Sequence, residues 1–394
     1  MSLSVSARMA RVRPSPTSAV VALTAELRAQ GRDIISLGAG EPDFDTPQFI
    51  KDAATDAIAA GETKYTPIDG TAALKVAIQR KFERDNHLKY AASQILVSCG
   101  AKQSLFNLCL GLLGPGDEAI IPAPYWVSYP DMVRLADAEP VVIETGIEDD
   151  FKISPAKLAA AITPKTRLLI LNSPSNPTGA SYTKSELQAL GEVLEGHPDI
   201  VIAADDIYEH IYWADEPFVS LATACPELYD RIVTINGVSK AFAMTGWRIG
   251  YAGGPEELIK AMTTIQSQST SNPCSISQVA AQVALDGDQS AVAEMCTAYQ
   301  ARHNYVVTAL NDLPGFTCRA GEGTFYVFPR IIEAIEAQGF SDDTELVEHL
   351  INAADVACVP GSAFGAPGYL RISYACSLET LQEAIGRMKR ALSA

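Results

Sequence analysis

One lysine of the chain lies in surroundings that would make its amine a nucleophile. Lys240 stands in a largely apolar, glycine-punctuated segment, 236–251, between two candidate strands. Desolvation and a nearby cation lower the pKa of an amine, and the neutral amine can then attack an aldehyde. Arg248 provides such a cation, and its guanidinium could also hold a phosphate in bidentate fashion. An isolated lysine is usually a surface residue, so the prediction depends on its neighbours.

Three other polar side chains end or interrupt apolar runs. Asp205 ends the run 200–205, where a poorly hydrated carboxylate needs a cationic partner such as a protonated pyridine nitrogen. The alternative, for it and for the adjacent Asp206, is a solvated strand end. Asn176 stands between two prolines, in a loop that either is a plain turn or presents its amide to a phenolate or carboxylate oxygen. Arg371 lies in an alternating apolar strand, where its guanidinium needs a carboxylate from the protein or from a substrate amino acid.

A possible anion site lies where an apolar strand passes into a helix. The segment 95–102 runs through Gly100 and Ala101 to Lys102, so the first free backbone N–H groups of the helix face the space above the sheet. Many strand–helix turns share this pattern, and a plain turn remains the alternative.

The elements that must position these residues alternate between short apolar runs and helix-length amphipathic segments. The candidate strands are 95–99, 118–122, 167–172, 200–205, 231–236 and 249–252. The candidate helices between them include 102–113, 184–194 and 256–267. This alternation predicts an α/β domain with a mostly parallel central sheet, whose ligands bind at the carboxyl ends of the strands.

The two ends of the chain have a different pattern. Residues 1–45 are predicted as helix plus loop, and the residues from about 290 onward as a long helix followed by mixed strands and helices. We therefore predict a large α/β domain over 46–290 and a smaller α+β domain that combines 1–45 with 291–394.

Composition excludes several classes of protein. The net charge of −17 in 394 residues disfavours nucleic acid and anionic membranes as partners, and no apolar run is long enough to cross a bilayer. Eight scattered cysteines without a C-x-x-C pair indicate reduced thiols and a cytoplasmic protein, and no metal-ligand spacing is present. The acid-free, Arg/Ser-rich start resembles a transit peptide but is interpreted as an ordinary N-terminus, because a ligand-binding motif begins at Arg13.

Taken in order, the segments resemble the class I aminotransferases of pyridoxal phosphate (PLP) fold type I, in the bacterial aspartate aminotransferase branch, some members of which also use prephenate. The resemblance extends from Arg13 to Arg371. Its motifs are Gly40-Glu-Pro-Asp-Phe, Pro124-Tyr-Trp126-Val-Ser-Tyr, Asn176-Pro-Thr-Gly, Asp205-Asp-Ile-Tyr208 and Ser239-Lys240-Ala-Phe-Ala-Met-Thr-Gly-Trp-Arg248.

The resemblance implies PLP as cofactor and gives three residues catalytic roles. Lys240 would form the Schiff base and later move a proton as general acid and base. Asp205 would pair with the pyridinium nitrogen, and Tyr208 together with Asn176 would hydrogen-bond the ring's phenolic oxygen. The other implied cofactor contacts are Gly100, Ala101 and Lys102 to the phosphate through their backbone, Arg248 as its cation, Trp126 on the ring face, and Ser239.

The resemblance also implies a homodimer with shared active sites and predicts how an amino acid and a 2-oxo acid bind. Tyr65 resembles the tyrosine that reaches the phosphate in the other subunit. Arg371 would bind the substrate α-carboxylate, assisted by the backbone of Gly40, with Trp126 and Asn176 also lining the substrate site.

One departure concerns the second carboxylate of an acidic substrate. Animal-type and enterobacterial relatives use an arginine from the partner subunit, whereas the corresponding stretch here, 268–273, has none. This branch resembles enzymes in which Lys102 takes that role, supported by Ser15 and Thr17. Arg13 either reaches the ring carboxylate of prephenate or is a solvated N-terminal residue.

The predicted activity is transamination between aspartate or glutamate and a 2-oxo acid. A PLP-dependent lyase on the same fold, or an aminotransferase with mainly aromatic substrates, is the alternative within the family. A PLP-binding regulator is disfavoured, because no basic DNA-binding segment precedes the domain.

Overall fold

The computed structural model describes residues 4–393 of the chain. Met1–Leu3 and Ala394, which the predicted small domain includes, lie outside the described residues. The strands are β1 Ile35–Ser36, β2 Ile95–Ser98, β3 Glu118–Ala123, β4 Glu139–Glu144, β5 Thr166–Asn172, β6 Val201–Asp205, β7 Ile232–Gly237, β8 Gly250–Gly253, β9 Tyr326–Val327, β10 Val356–Ala357, β11 Val359–Pro360 and β12 Leu370–Ser373.

The helices connect these strands and cover the sheet. They are α1 Pro16–Ala29, α2 Gln48–Ala59, α3 Ala72–Asn86, α4 Ala101–Leu112, α5 Tyr129–Leu135, α6 Pro155–Ala161, α7 Lys184–Glu195, α8 Leu221–Ala224, α9 Glu256–Ser269, α10 Ser275–Asp286, α11 Ser290–Asn311, α12 Ile332–Gln338, α13 Asp343–Ala354 and α14 Leu378–Leu392.

The central sheet has seven strands in the order β2-β8-β7-β6-β5-β3-β4. Every neighbouring pair is parallel except those made by β8, which is antiparallel to both β2 and β7. The predicted α/β fold with a mostly parallel sheet is therefore confirmed. The six candidate strands all form, with ends displaced by a residue or so.

Successive residues of the central strands pack into different apolar clusters. In β5, Leu169 and Leu171 belong to one cluster, whereas Leu168 and Ile170 belong to another. Side chains alternate across a strand, so the two clusters are the cores on the two faces of the sheet. A strand buried on both faces has no polar alternation, which is why these strands appear in the sequence as continuous apolar runs.

Strand β4 was not predicted from the sequence. It lies at the edge of the sheet, contains Pro140, and buries only part of its surface, with Val142 exposed. A proline is tolerated in an edge strand because the ladder needs its N–H on one side only.

Residues from both ends of the chain share a third apolar cluster. Strand β1 pairs in parallel with β10, and Ile34 and Leu37 pack among side chains of residues 295–392. Helix α11 begins at Ser290, close to the boundary predicted at 290. Tyr208, at the sheet, also belongs to this cluster, so one catalytic candidate lies where the cluster meets the sheet.

Within residues 4–393, none of the helices combines the length and the apolar character that a membrane span requires.

Candidate active site

The carboxyl edge of the sheet gathers most of the predicted site residues. Asp205 ends β6, its register partners are Asn172 in β5 and Ile235 in β7, and Lys240 follows β7 by one turn. Because β8 runs in the opposite direction, it begins at this edge, with Gly250 opposite Ser98 and Gly237. Arg248 is thereby brought to the same edge from the other direction.

Asp205 is buried with one carboxylate oxygen unmatched. The Tyr129 hydroxyl donates a hydrogen bond of 2.6 Å to its Oδ2, whereas its Oδ1 finds no partner within the described chain. Burial raises the pKa of Asp205 to about 6, while the Tyr129 hydrogen bond acts in the opposite direction. A carboxylate placed in this way is ready to accept a hydrogen bond from a cationic N–H group.

Tyr208 lies beside a second tyrosine. The hydroxyl oxygens of Tyr208 and Tyr326 are 3.1 Å apart, and both rings are buried. Burial raises the pKa of Tyr208 well above its ordinary value, and the neighbouring Tyr326 adds to the shift. Tyr208 therefore stays a phenol near neutral pH and keeps its proton for donation.

The amine of Lys240 lies among aromatic rings and charged groups of both signs. Its Nζ donates to the carbonyl oxygen of Gly40 and lies 5.8 Å from the ring centre of Tyr208 and 5.7 Å from that of Phe325. Burial, followed by the positive charge of Arg371, lowers the pKa of Lys240 to about 8. The sequence-based expectation of a desolvated, nucleophilic amine agrees with this environment.

The start of helix α4 and Arg248 form a narrow cradle. Gly100, at the N-cap of α4, has a φ of 87°, and a side chain there would collide with the Arg248 guanidinium. A side chain at Gly250 would in turn collide with the backbone of Ala101. Within residues 4–393 the N–H groups of Ala101 and Lys102 have no acceptor. Free N–H groups at a helix N-terminus beside a guanidinium suit a phosphate.

Among the described residues, Arg248 itself donates only to backbone carbonyls, at 2.9 Å to Thr245 and 3.2 Å to Cys99. Ser239 is buried one residue before Lys240, and its hydroxyl makes no hydrogen bond within the described residues.

Arg371 is a buried guanidinium without an acidic partner. It is 2% exposed, donates to Asn176 Oδ1 at 3.0 Å and to the Gly38 carbonyl at 2.7 Å, and leaves its Nε unpaired among the described residues. Its guanidinium carbon lies 4.5 Å from the ring centre of Tyr326. An arginine that remains charged in such surroundings needs an anion, and no acid of residues 4–393 pairs with it. The site thus offers a place for a carboxylate.

Asn176 and Gly40 each contact another residue of the site. Asn176 uses its Oδ1 for Arg371, so its amide nitrogen is the group left to donate. The carbonyl of Gly40 accepts from Lys240, and it is Gly38 that contacts Arg371.

Lys102 lies at a cavity of about 520 Å³ that Arg13, Ser15 and Arg248 also line. Its Nζ is 4.8 Å from the ring centre of Trp126. Burial, and then the charge of Arg248, lowers the pKa of Lys102, so an anion bound here would restore the stability of its charged form.

The two hydroxyl residues predicted near this cavity contact each other. The Ser15 and Thr17 hydroxyls are 2.9 Å apart, and Ser15 also caps helix α1 by accepting from the Ser18 N–H. Ser15 is part of the cavity lining described above, whereas Thr17 contacts Ser15 and is not part of that lining.

Tyr65 does not join the site within this chain. Its side chain is 92% exposed in the loop between α2 and α3.

Two tyrosines of the site were missed by the sequence analysis. Tyr129 ends the motif that begins at Pro124, and its place in that motif was the signal that could have identified it. Tyr326 lies in a short apolar strand, where nothing distinguishes a site tyrosine from a core tyrosine.

Comparison with known proteins identifies the class of protein. Residues 32–388 match the family described as aminotransferase class I and II. The chain is 54% identical over 397 residues to the aspartate/prephenate aminotransferase of Nitrosomonas europaea, covering 99% of this chain and 100% of that protein. It is 50% identical to the aspartate aminotransferase of Bacillus subtilis, covering 97% of each chain.

Solved structures agree with this result. The aspartate aminotransferase from Rhizobium meliloti superposes with a TM-score of 0.95 at 47% identity, covering 100% of this chain and 99% of that one. The Thermus thermophilus aspartate aminotransferase with maleate gives a TM-score of 0.93 at 42% identity, covering 99% of this chain and 100% of that one. The chain therefore belongs to the class I and II aminotransferase family and is a transferase of amino groups, as its motifs predicted.

From the lowered pKa of Lys240 we predict how the reactivity of its amine depends on pH in the protein without added ligand. Reductive methylation at Lys240 should be half-maximal near pH 8, because the amine is protonated and inert below that pH and neutral above it. Peptide mass spectrometry across the pH range measures the rate, with the exposed Lys260 as an internal reference. A midpoint at the ordinary lysine value of about 10.4 would contradict the proposed desolvation.

Proposed function

We propose that this enzyme uses PLP to transfer an amino group between aspartate or glutamate and the corresponding 2-oxo acids. The observation that carries the proposal is the meeting of Lys240 with two buried, incompletely paired charges, those of Asp205 and Arg371, at one edge of the sheet.

The residues present suit PLP group by group. The bare Oδ1 of Asp205 suits a protonated ring nitrogen, and the N–H groups of Ala101 and Lys102 with Arg248 suit a phosphate. Tyr208 and the amide nitrogen of Asn176 are donors for a phenolic oxygen. Ser239 would be a further contact, and Trp126 would cover the ring.

When bound, PLP supplies an aldehyde for the amino group and a ring that accepts electrons from the substrate α-carbon. Lys240 Nζ is the attachment point and the base that takes the α-proton, which its lowered pKa allows near neutral pH. Asp205 keeps its charge at the ring nitrogen, because Tyr129 holds its other oxygen.

Arg371 orients the amino acid by its α-carboxylate. The guanidinium is already held by Asn176 and by the Gly38 carbonyl, so little side-chain entropy is lost when the carboxylate binds. Gly40 keeps the amine of Lys240 close to this point.

Lys102 supplies the cation for the second carboxylate, at the cavity that Ser15 also lines, and Thr17 supports Ser15 through their hydroxyl contact. The Thermus thermophilus relative was solved with maleate, a four-carbon dicarboxylate like aspartate. Arg13 lines the same cavity, where its guanidinium would meet the ring carboxylate of prephenate, a 2-oxo acid that we propose as a further acceptor.

We also propose a homodimer in which Tyr65 reaches the partner's phosphate site, since its side chain is exposed in its own chain. The division into a large domain at 46–290 and a small domain from 1–45 and 291–394 remains our proposal, supported by the pairing of β1 with β10. A cytoplasmic location likewise rests on the scattered cysteines.

Removal of the amine tests the central step. Lys240→Ala should retain the fold but lose nearly all transamination, because the variant lacks the amine assigned as the base at the α-carbon. The assay mixes aspartate with 2-oxoglutarate and measures oxaloacetate and glutamate in the wild type and the variant. Near-normal turnover by the variant would overturn the assignment of Lys240. A separate assay with cysteine, which carries a leaving group at its β-carbon, tests the alternative: pyruvate, ammonia and sulfide as the wild-type products would indicate the lyase.

The two cations of the cavity should separate the substrates. Lys102→Met should lower kcat/KM for aspartate on the order of tenfold to hundredfold, because a charged hydrogen bond is lost. The value for alanine, which has no second carboxylate, should change little. Arg13→Met should affect only prephenate as acceptor. Absence of prephenate turnover by the wild type, with aspartate or glutamate as donor, would end the prephenate part of the proposal.

A further inference from the structure

Glu209 lies at the centre of a buried polar cluster next to the cofactor-binding turn. It follows Tyr208 directly, and its Oε2 accepts from Asn86 at 2.7 Å. Its Oε1 accepts from Asn236 at 2.7 Å and forms an ion pair with Lys81. Both carboxylate oxygens are therefore occupied by side chains from other elements.

Helix α3 supplies the cation of this cluster. Lys81 is 1% exposed, and its Nζ also donates to Asn86 Oδ1 at 2.7 Å, which fixes the asparagine for its contact with Glu209. Although burial acts in the opposite direction, Lys81 and His210 hold the pKa of Glu209 below its ordinary value. The group thus remains a carboxylate in the folded protein.

Asn236 connects Glu209 to the strand that precedes the lysine. Its amide nitrogen donates to Glu209 and, at 3.2 Å, to the carbonyl of Asp206. Its Oδ1 accepts from the Gly237 N–H at 2.7 Å, at the end of β7 and three residues before Lys240. One carboxylate is therefore connected to both of the turns that carry the catalytic candidates.

The cluster continues to His210 and Asp85. His210 Nε2 is 3.1 Å from Asp85 Oδ2, and its Nδ1 is 3.4 Å from Glu209 Oε1. The two carboxylates therefore approach different ring nitrogens of His210. Lys81 and Arg84 already pair with the two acids.

We propose that Glu209 is a positioning residue for the cofactor site. Held by Lys81 and Asn86 on α3, it fixes the turn that carries Asp205 and Tyr208. Through Asn236 it fixes the turn that carries Lys240. Glu209 itself contacts neither cofactor nor substrate, and the inference rests on the proposed use of PLP.

Three side chains allow a matched test. Glu209→Gln keeps the shape but cannot accept all the hydrogen bonds and leaves Lys81 unpaired, whereas Asn86→Ala removes one hydrogen bond and no charge. Lys75→Met is the control, because Lys75 is a buried lysine of the same helix whose partners, Asp69 and the Ala92 carbonyl, belong to neither turn.

Each variant is measured for the melting temperature of the apoprotein, the dissociation constant of PLP, and the pH midpoint of the visible absorption band of the PLP-loaded protein without substrate. For Glu209→Gln we expect the dissociation constant to rise about tenfold, as on loss of an outer support of a bound group. We expect the midpoint to fall by roughly half a pH unit or more, because the charge of Lys81 is no longer balanced. Asn86→Ala should raise the dissociation constant about threefold through the same loss of support.

Lys75→Met should lower the melting temperature while leaving the dissociation constant and the midpoint unchanged. If Glu209→Gln behaves like this control, Glu209 only stabilises the fold and the proposal is wrong. If Glu209→Gln does not fold, Asn86→Ala decides: a wild-type dissociation constant in that variant overturns the proposal. Failure of the wild type to bind PLP would instead overturn the proposed function on which the inference rests.

Discussion

The structure buries opposite charges at one edge of a sheet without pairing them completely. Asp205 has one oxygen held by Tyr129 and the other bare, and Arg371 has only neutral acceptors within the described chain. A buried charge without a partner destabilises a protein, so such an arrangement is expected where a ligand completes the pairing. The lowered pKa of Lys240 follows from the same environment, because burial and Arg371 both disfavour a second cation.

The reversed strand β8 makes this arrangement possible. It brings Arg248 back to the edge at which β2 and β7 end, so the guanidinium meets the N-terminus of α4. Glycine is needed at both contacts, because a side chain at Gly100 or Gly250 would fill the space between them. The phosphate cradle therefore forms because β8 is reversed and because two backbone segments approach each other closely. The charged groups are positioned by the secondary structure more than by flexible loops.

Much of the fold and of the site could be predicted from the sequence, for physical reasons that differ. Strands β5, β6 and β7 are buried on both faces and appear as apolar runs, and Lys240 and Arg371 interrupt apolar segments with a charge. The edge strand β4 has only a short apolar run, 140–143, which begins with a proline and is flanked by glutamates. Tyr129 and Tyr326 were missed because a tyrosine in an apolar setting is as often a core residue. The hydrogen bond from Arg371 to the Gly38 carbonyl depends on loop geometry that a motif does not encode.

That Asp205, Lys240 and Arg371 form one PLP site is tested most directly by trapping. Stoichiometric PLP is added to the apoprotein, the complex is reduced with borohydride, and the modified peptide is identified by mass spectrometry. Because Lys240 is the lysine whose amine is desolvated beside the bare oxygen of Asp205, we expect the adduct on Lys240 alone. An adduct mainly on another lysine, or no adduct at all, would contradict the assignment of this edge of the sheet as the cofactor site.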